Sequence, residues 1–302
     1  MLQEWAQWQP IFETLRWLAG SAVLVAIALE LLYQFKTGKS LYTKWDTRGN
    51  LAVIPFYLVM AFIWAPVVYW WYDWAYQARI VDWGNVWFAS NTMAFIGYWL
   101  CLFLLEDLTF YTFHRCSHKV RLLWASHVVH HSSQQFNFSV AWRESWLPFF
   151  VFWFWMPLPL LGFHPLSVLL MQAISLYFQV FIHTKAIKKL GPLEWIFNTP
   201  NHHRVHHACN NTYIDKNFGG VLIIWDRIFK TYQKAGNEPI RFGIIRNINN
   251  NRALTIQFHE YRALINDVKN ANSVLNKIKT LFKGPGWQPD HPITTSKRPK
   301  RL

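Results

Sequence analysis

The sequence predicts an all-α, polytopic membrane protein with about four to five membrane helices. Hydrophobic residues make up 52% of the 302 positions and charged residues only 15%, below the roughly 25% typical of soluble domains. The apolar residues collect in uncharged runs of about 20 residues, the length at which an α-helix crosses the hydrocarbon core. The 19 tryptophans also fit this class, because their amphipathic rings favour the membrane–water interface.

Three apolar runs predict the first three spans. Trp17–Phe35 contains one charge, Glu30, near its end, and we expect a structural role for that acid. Leu51–Tyr72 is uncharged but contains two prolines, which should bend or shorten it. Asn85–Leu105 is also uncharged and gives the third span.

A fourth apolar run, Ser145–Ile182, is too long for a single membrane helix. Pro157, Pro159 and the stretch Gly162–Pro165 interrupt it near the middle. We therefore predict two helices that form a hairpin. His164 lies at the turn, across the membrane from the other histidine-rich segments, and is expected to be a loop residue rather than a ligand.

The distribution of basic residues predicts the orientation. The loop after the first span contains four basic residues, whereas the loop after the second contains only Arg79 together with Asp73 and Asp82. We expect a multi-pass protein of the bacterial inner membrane, with the first loop and the C-terminus in the cytoplasm. The basic residues of the first loop are Lys36, Lys39, Lys44 and Arg48.

The last third of the chain is more polar. Val221–Tyr232 is predicted as a short amphipathic helix, and Arg252–Lys283 as one helix on the membrane surface or on the catalytic domain. The net charge of +14 comes without a nucleic-acid-binding motif, so an anionic leaflet is the better partner. We expect one domain over residues 1–283, with its core at about 107–232, and a loose basic tail over 284–302.

Nine of the 13 histidines lie in three short windows on the predicted cytoplasmic side. Histidines four residues apart share a helix face and can chelate one metal ion. Eight clustered imidazoles exceed a single coordination shell, and all-nitrogen ligation fits iron, zinc or copper. The sequence therefore predicts a cytoplasmic helical cap that holds a histidine-rich di-metal site. The eight are His114, His118, His127, His130, His131, His203, His206 and His207.

Three further residues are weighed with this set. His202 and His183 are additional candidate ligands, since His183 ends the hairpin on the side of the three windows. Asp107 lies seven residues before His114, on the same helix face. Its carboxylate could orient a ligand imidazole, or it could be an ordinary acid at a helix end, and both interpretations stay open.

Four stretches resemble the fatty acid hydroxylase (sterol desaturase) superfamily of integral-membrane, non-haem di-iron enzymes. They are Phe113–His118, Ser126–Ser132, Asn198–His207 and Ile214–Phe229. The resemblance covers about residues 107–232. It is closest to the branch of alkylglycerol monooxygenase-like and bacterial sterol desaturase-like proteins.

The resemblance implies a centre of two iron ions that activates O₂ and abstracts hydrogen from a lipid C–H bond. All eight clustered histidines and His183 carry over as ligands, with His202 as a further candidate. It also implies a separate electron donor, such as a ferredoxin, a cytochrome b5-like protein or a reductase. Polar residues that match the branch, and would orient ligands or support the structure, are Asn137, Arg143, Asn198, Asp215, Asn217 and Asp226.

One residue departs from the pattern of this branch. In the alkylglycerol monooxygenases an acid follows the first histidine window, whereas here Lys119 follows His118. The use of tetrahydrobiopterin and the cleavage of an ether bond therefore stay open.

The leading functional hypothesis is an O₂-dependent hydroxylase of a membrane lipid, whether a fatty acyl chain, a sterol or an ether lipid. A desaturase with the same iron site is the nearest alternative, because it differs only in how the substrate is placed. A membrane metal-binding or transport protein is the alternative of another class. Such a transporter should hold its ligands within its spans, whereas the histidine windows are predicted to lie outside them.

Overall fold

The computed structural model describes residues 2–84, 86–88, 91–147 and 151–287. Over this part of the chain the fold is all-α, with two isolated β-bridges and no strand. Three helices are long and apolar enough to cross a membrane, and a fourth apolar helix is shorter. They are α1 (Leu2–Thr37), α2 (Lys44–Gln77) and α3 (Thr92–Lys119), with α6 (Pro165–Phe181) as the shorter one.

All three long helices extend beyond the predicted apolar runs. Neither Pro55 nor Pro66 ends α2, which continues for eleven residues after the second. Asn91 caps α3, because its side chain accepts hydrogen bonds from the amides of Met93 and Ala94. The helix then continues to Lys119. The first histidine window therefore forms the C-terminal end of the same helix that contains the third apolar run. Its position outside the membrane stays a prediction.

The predicted hairpin has only one long helical arm among the described residues. Its second arm is α6, but the first consists of a 3₁₀ turn, Phe152–Trp155, and the single-turn α5 (Pro157–Leu160). Pro157 and Pro159 explain the short helix, since proline lacks the amide hydrogen that helix propagation requires. Residues 148–150 of this arm lie outside the described part of the chain.

The turn of the hairpin lies at the end of the bundle opposite the histidine windows. Gly162 has φ +91°, and a Cβ atom there would lie 2.0 Å from the carbonyl oxygen of Val81. His164 caps α6 by accepting a hydrogen bond from the amide of Leu166, and its ring stacks on Trp8 of α1 at 5.5 Å. His164 thus lies at the turn, as expected, and it serves there as a helix cap.

The remaining helices build a cap beside the ends of the spans. The predicted helix at Val221–Tyr232 is reduced to one turn, and the predicted helix at Arg252–Lys283 is two helices. The break falls at an Asn-Ala-Asn-Ser stretch, where Ser273 caps the second helix by accepting from the amide of Asn276. The cap helices are α4 (Arg121–His131), α7 (Pro200–His206), α8 (Ile224–Ile228), α9 (Ala253–Asn270) and α10 (Val274–Phe282).

Glu30, the lone acid of the first span, is buried and connects α1 to the cap. Its carboxylate accepts hydrogen bonds from the Tyr42 hydroxyl at 2.5 Å, from the Phe138 amide at 3.2 Å and from the Thr184 hydroxyl. Thr184 follows His183 directly. Glu30 therefore has the structural role expected of it, at the turn that carries a candidate ligand.

The basic loop between α1 and α2 lies at the same end of the bundle as the histidine windows. The main-chain oxygen of Leu41 accepts from Asn137, and the Asp46 carboxylate accepts from the Ser133 hydroxyl and the Gln134 amide. Both contacts join this loop region to the segment just after α4. The basic loop and the histidines thus share one end of the bundle, as their charge and order predict.

Candidate metal centre

Nine histidines converge at the cap end of the bundle, and they form two groups. In each group, one nitrogen from every member lies within 4.8 Å of those of the others. The larger group combines the end of α3, α4 and α7. The smaller one combines α4, the turn after α6 and the end of α7. The groups are His114, His118, His127, His131 and His206, and His130, His183, His203 and His207.

The helical spacing explains how the histidines divide. The pairs four residues apart, 114/118, 127/131 and 203/207, each stay within one group, because i and i+4 side chains lie on one face. Adjacent histidines point in different directions. His130 and His131 therefore belong to different groups, as do His206 and His207. Each adjacent pair thus contributes to both halves of the centre.

Three main-chain carbonyls fix the orientation of three imidazoles. The Nδ1 atom of His114 lies 2.8 Å from the Phe218 oxygen, that of His206 lies 2.9 Å from the Lys216 oxygen, and that of His183 lies 2.6 Å from the Gln179 oxygen. A carbonyl oxygen can only accept, so each Nδ1 atom bears the hydrogen. The Nε2 atom of each ring therefore presents its lone pair to the centre.

The Nε2 atoms crowd together inside both groups. That of His183 lies 2.9 Å from His203 Nε2, 3.1 Å from His130 Nε2 and 3.2 Å from His207 Nε2. In the larger group, His127 Nε2 lies 3.0 Å from His114 Nε2 and 3.1 Å from His131 Nε2. Converging lone pairs repel one another unless a cation lies between them. This all-nitrogen, uncharged donor set fits a divalent transition metal in each group.

Burial keeps these imidazoles neutral. Desolvation, reinforced by the neighbouring imidazoles, holds the pKa of His127, His131, His203 and His207 well below the ordinary value. Neutral imidazole is the form that ligates metals. Of the nine, His127 is the only partly exposed one and the others are buried, so its edge marks the most open side of the centre.

Aromatic rings cover much of the rest of the centre. Phe136 lies 5.1 Å from the ring of His207 and 5.5 Å from that of His183. Trp124 lies 5.1 Å from the His118 ring, and Phe218 lies at the same distance from it. These side chains shield the imidazoles from water.

Asp226 and Asp107 hold the loop that orients His114. The Asp226 carboxylate accepts hydrogen bonds from the amides of Phe218 and Gly219 at 2.8 and 2.7 Å, and from the Thr231 hydroxyl at 2.6 Å. Asp107 accepts from two amides of the same loop, those of Val221 and Leu222, and from the Trp225 indole. Both carboxylates thus hold the main chain of the loop in the position from which the Phe218 carbonyl contacts His114.

Asp215 contacts both the first window and the lysine that departs from the family pattern. Its carboxylate lies 3.5 Å from His118 Nδ1 and 2.8 Å from Lys119 Nζ. Asp215 and Asn217 have positive φ values, 60° and 56°, in a region that Asp and Asn tolerate better than other residues with a Cβ. This turn directs the Lys216 carbonyl between them towards His206.

Arg143 supports the second window from behind. Its guanidinium is buried and donates to the Val129 carbonyl, the Ser132 hydroxyl and the Asn50 side chain at 3.1, 3.0 and 2.9 Å. The Val129 carbonyl lies in the last turn of α4, where a cation is favoured. Burial lowers the pKa of Arg143 to about 10, so it stays charged at neutral pH.

The remaining polar candidates connect cap segments rather than approach the imidazoles. The Asn137 amide donates to the Leu41 carbonyl and its oxygen accepts from Ser139. Asn198 donates to the Gly219 carbonyl, and Asn217 donates to the His202 carbonyl. These contacts are structural.

His202 lies outside both groups. It is on another face of α7, where its ring is 5.5 Å from that of Tyr232 and its Nε2 atom is 3.9 Å from the Glu194 carboxylate. The structure therefore brings nine of the ten candidate ligands together, and His202 is the exception.

Two features of the centre were not found by sequence reasoning. The orienting acceptors are main-chain carbonyls, which no residue type identifies. The other is Glu144, whose carboxylate lies 3.2 Å from His130 Nδ1 although it is outside the histidine windows in the sequence. For the Lys216 carbonyl, the signal in the sequence is the pair of flanking residues Asp215 and Asn217, because Asp and Asn tolerate the positive φ values of this turn.

The fold and the site define a helical protein with three candidate membrane spans and a histidine centre that could hold two metal ions. Residues 99–231 match the model of the fatty acid hydroxylase family. No solved structure matches the chain.

Characterised relatives support the same assignment. The chain is 44% identical over 196 residues to alkylglycerol monooxygenase of Homo sapiens. This match covers 64% of this chain and 43% of the relative. The Danio rerio alkylglycerol monooxygenase is 40% identical over 218 residues, 72% of this chain and 48% of the relative. An ornithine lipid hydroxylase of Rhizobium tropici is 31% identical over 132 residues, 43% and 40% of the two chains. The matches thus span less than half the length of each of these relatives.

Proposed function

We propose that this chain is an O₂-dependent oxidoreductase that hydroxylates a C–H bond of a membrane lipid at a centre of two iron ions. The observation that carries the proposal is the pair of histidine groups, with five and four converging nitrogens. Similarity to lipid hydroxylases and monooxygenases supports a redox metal over zinc. Members of the fatty acid hydroxylase family are iron-dependent.

The residues of the chain have three roles in this proposal. The larger and the smaller group would each hold one iron, and bound iron would supply the activation of O₂. The carbonyls of Lys216, Phe218 and Gln179 keep three imidazoles in the tautomer that ligates metal. Trp124 and Phe136 limit the entry of water, which favours oxidation of the lipid over side reactions.

The placement of the centre supports a lipid substrate. α3 is both a candidate membrane span and the carrier of His114 and His118. A lipid that lies along this helix therefore meets the centre without leaving the bilayer. The partly exposed edge of His127 is where we expect the reacting carbon to approach.

An ether lipid is the substrate class to test first, because alkylglycerol monooxygenases are the most similar relatives reported above. Hydroxylation next to an ether oxygen gives a hemiacetal, which separates into an aldehyde and an alcohol. Lys119, in place of an acid, forms an ion pair with Asp215. Because this departure from the alkylglycerol monooxygenase pattern leaves the reductant open, tetrahydrobiopterin has to be compared with a ferredoxin and with a cytochrome b5-like protein as the electron donor.

The experiment uses purified chain in lipid nanodiscs, with iron and labelled oxygen gas. We expect about two irons per chain and one labelled oxygen atom in the lipid product. Loss of two hydrogens without oxygen incorporation would indicate a desaturase. Metal flux in proteoliposomes without lipid oxidation would overturn the proposal in favour of transport.

A matched pair of variants in one window tests the ligand assignment. His206→Ala should lose bound iron and activity, because it removes a nitrogen from the larger group. His202→Ala should keep both, since His202 lies outside the groups. Equal iron content in the two variants would contradict the assignment.

A further inference from the structure

The outer face of α10 is apolar and uncovered in the described part of the chain. Its large hydrophobic side chains are between 49% and 73% exposed, whereas Thr280 on the inner side is buried. We call this surface the α10 face; it consists of Val274, Leu275, Ile278 and Phe282. At 100° per residue these four side chains lie within an arc of about 100°.

Lysines border the α10 face on both sides. On the helical wheel, Lys277 lies on one side of the apolar arc, and Lys279 and Lys283 lie on the other. The helix contains no acidic residue. An apolar stripe between lysines is the pattern of a helix that lies in a membrane surface, where the long side chains reach the lipid headgroups.

The attachment of α10 places it at the level where the third span ends. The Lys283 carbonyl accepts a hydrogen bond from the Arg121 amide at 3.1 Å, two residues beyond the last residue of α3. Arg121 also forms ion pairs with Glu260 and Asp267 of α9 at 3.0 and 2.7 Å. The helix pair is thus bonded to the chain where α3 passes into the cap.

A second exposed apolar surface lies beside α3. We call it the Trp195 patch, and its members are between 44% and 70% exposed. The Phe229 ring stacks on Tyr111 of α3 at 5.2 Å, and Tyr111 is about 12 Å before the end of that helix at 1.5 Å per residue. The patch consists of Leu193, Trp195, Ile196, Ile228 and Phe229.

Basic residues also surround the Trp195 patch. Arg227 lies over the Trp195 ring at 5.6 Å, and Lys188, Lys189 and Lys230 are exposed. Two acids lie nearby. Asp226 is buried, and Glu194 is partly buried and accepts hydrogen bonds from the Leu190 amide and the Asn201 side chain. Both apolar surfaces therefore have a positive border.

We propose that the α10 face and the Trp195 patch both lie in the headgroup layer of one anionic lipid leaflet. Their apolar side chains enter the edge of the hydrocarbon, and their lysines and arginines contact lipid phosphates. The cap is then seated on the membrane at two places, one bonded to the first residue of α4 just after α3 ends and the other packed on α3. The histidine centre is held at the bilayer surface, a placement that does not depend on which lipid is oxidised.

The test measures depth with spin labels in full-length chain in nanodiscs. Labels are attached at Ile278→Cys and Ile228→Cys, with exposed Asn237→Cys as the aqueous control, in a variant whose Cys101, Cys116 and Cys209 are alanine. Collisions with O₂ report hydrocarbon, and collisions with a soluble nickel chelate report water. We expect O₂ to dominate at 278 and 228 and nickel to dominate at 237.

Charge is tested with lipid composition. In phosphatidylglycerol nanodiscs, Lys277→Glu with Lys279→Glu should raise nickel accessibility at 278 several-fold, whereas in phosphatidylcholine the change should be small. Nickel accessibility at 278 and 228 equal to that at 237 would overturn the proposal. Labels shielded from both reagents, with dipolar coupling between chains, would instead show that a second copy covers these surfaces. Each readout is independent of lipid oxidation.

Discussion

Replacing Asp226 by asparagine tests how the loop orients a ligand. The peptide unit between Phe218 and Gly219 is hydrogen-bonded on both sides. Its N–H donates to Asp226 at 2.7 Å, and its C=O accepts from His114 Nδ1 at 2.8 Å. A negative carboxylate on the N–H polarises the carbonyl and strengthens its bond to the imidazole. Asp226→Asn keeps the shape of the side chain but removes this charge.

The magnitude follows from the bonds that change. Asp226 accepts from three donors, and one of its oxygens serves Gly219. If the asparagine amide group replaces that oxygen, two N–H groups face each other, which costs about 1–3 kcal/mol in a buried site. Loss of a group that orients a ligand typically lowers metal affinity by about 10- to 100-fold. We expect a decrease of that size.

The assay is an anaerobic titration of ferrous iron against a chromophoric chelator, with detergent-solubilised chain. Asp82→Asn is the matched control, because Asp82 is exposed and pairs with Arg79 at the other end of the bundle. Thermal unfolding without metal checks that the variant is folded. Unchanged iron affinity in folded Asp226→Asn would refute the proposed relay through the 218–219 peptide.

Three further predictions concern the scaffold. Arg143→Lys should lower the unfolding temperature and iron retention, because lysine cannot make all the bonds of the buried guanidinium; Arg262→Lys, at an exposed position, should change neither. Gly162→Ala should lower the free energy of unfolding by more than the about 1–3 kcal/mol of backbone strain, since its Cβ would meet the Val81 oxygen. The control is Gly84→Ala, where φ is also positive but the space is open, so only the strain should be lost. Metal-free protein should lose stability as the pH falls below the ordinary histidine pKa, because the unfolded chain takes up protons before the buried imidazoles, whose pKa values are lowered in the folded state. Thermal melts at several pH values measure this loss. An unfolding temperature that rises with acid would contradict the prediction.

The sequence predicted the pattern of the centre better than its surroundings. Spacing of four residues placed 114/118, 127/131 and 203/207 in common groups, and the structure places them so. His202 has the same residue type and window but another helix face. The sequence of this window alone could not separate His202 from the candidate ligands, because the face of α7 that meets the other histidines depends on how α7 packs against α4.

The spans show where local patterns are insufficient. Hydropathy located α1, α2 and α3 but ended the third near Leu105, whereas α3 continues to Lys119. In this continuation the polar residues Asp107, His114 and His118 are buried, and their burial depends on tertiary packing that hydropathy does not show. The first arm of the hairpin is as apolar as α6, but proline and bulky aromatic residues restrict it to short turns.

A single continuous helix crosses the apolar zone and ends in two candidate ligands. An α-helix is stiff along its axis, so a change in its tilt must move His114 and His118 relative to the histidines of α4 and α7. Bilayer thickness is one of the factors that set helix tilt. The acyl-chain length of the surrounding lipids should therefore alter the distances between these imidazoles and those of α4 and α7, and the proposed oxidation would respond to the membrane's thickness as well as to the substrate dissolved in it.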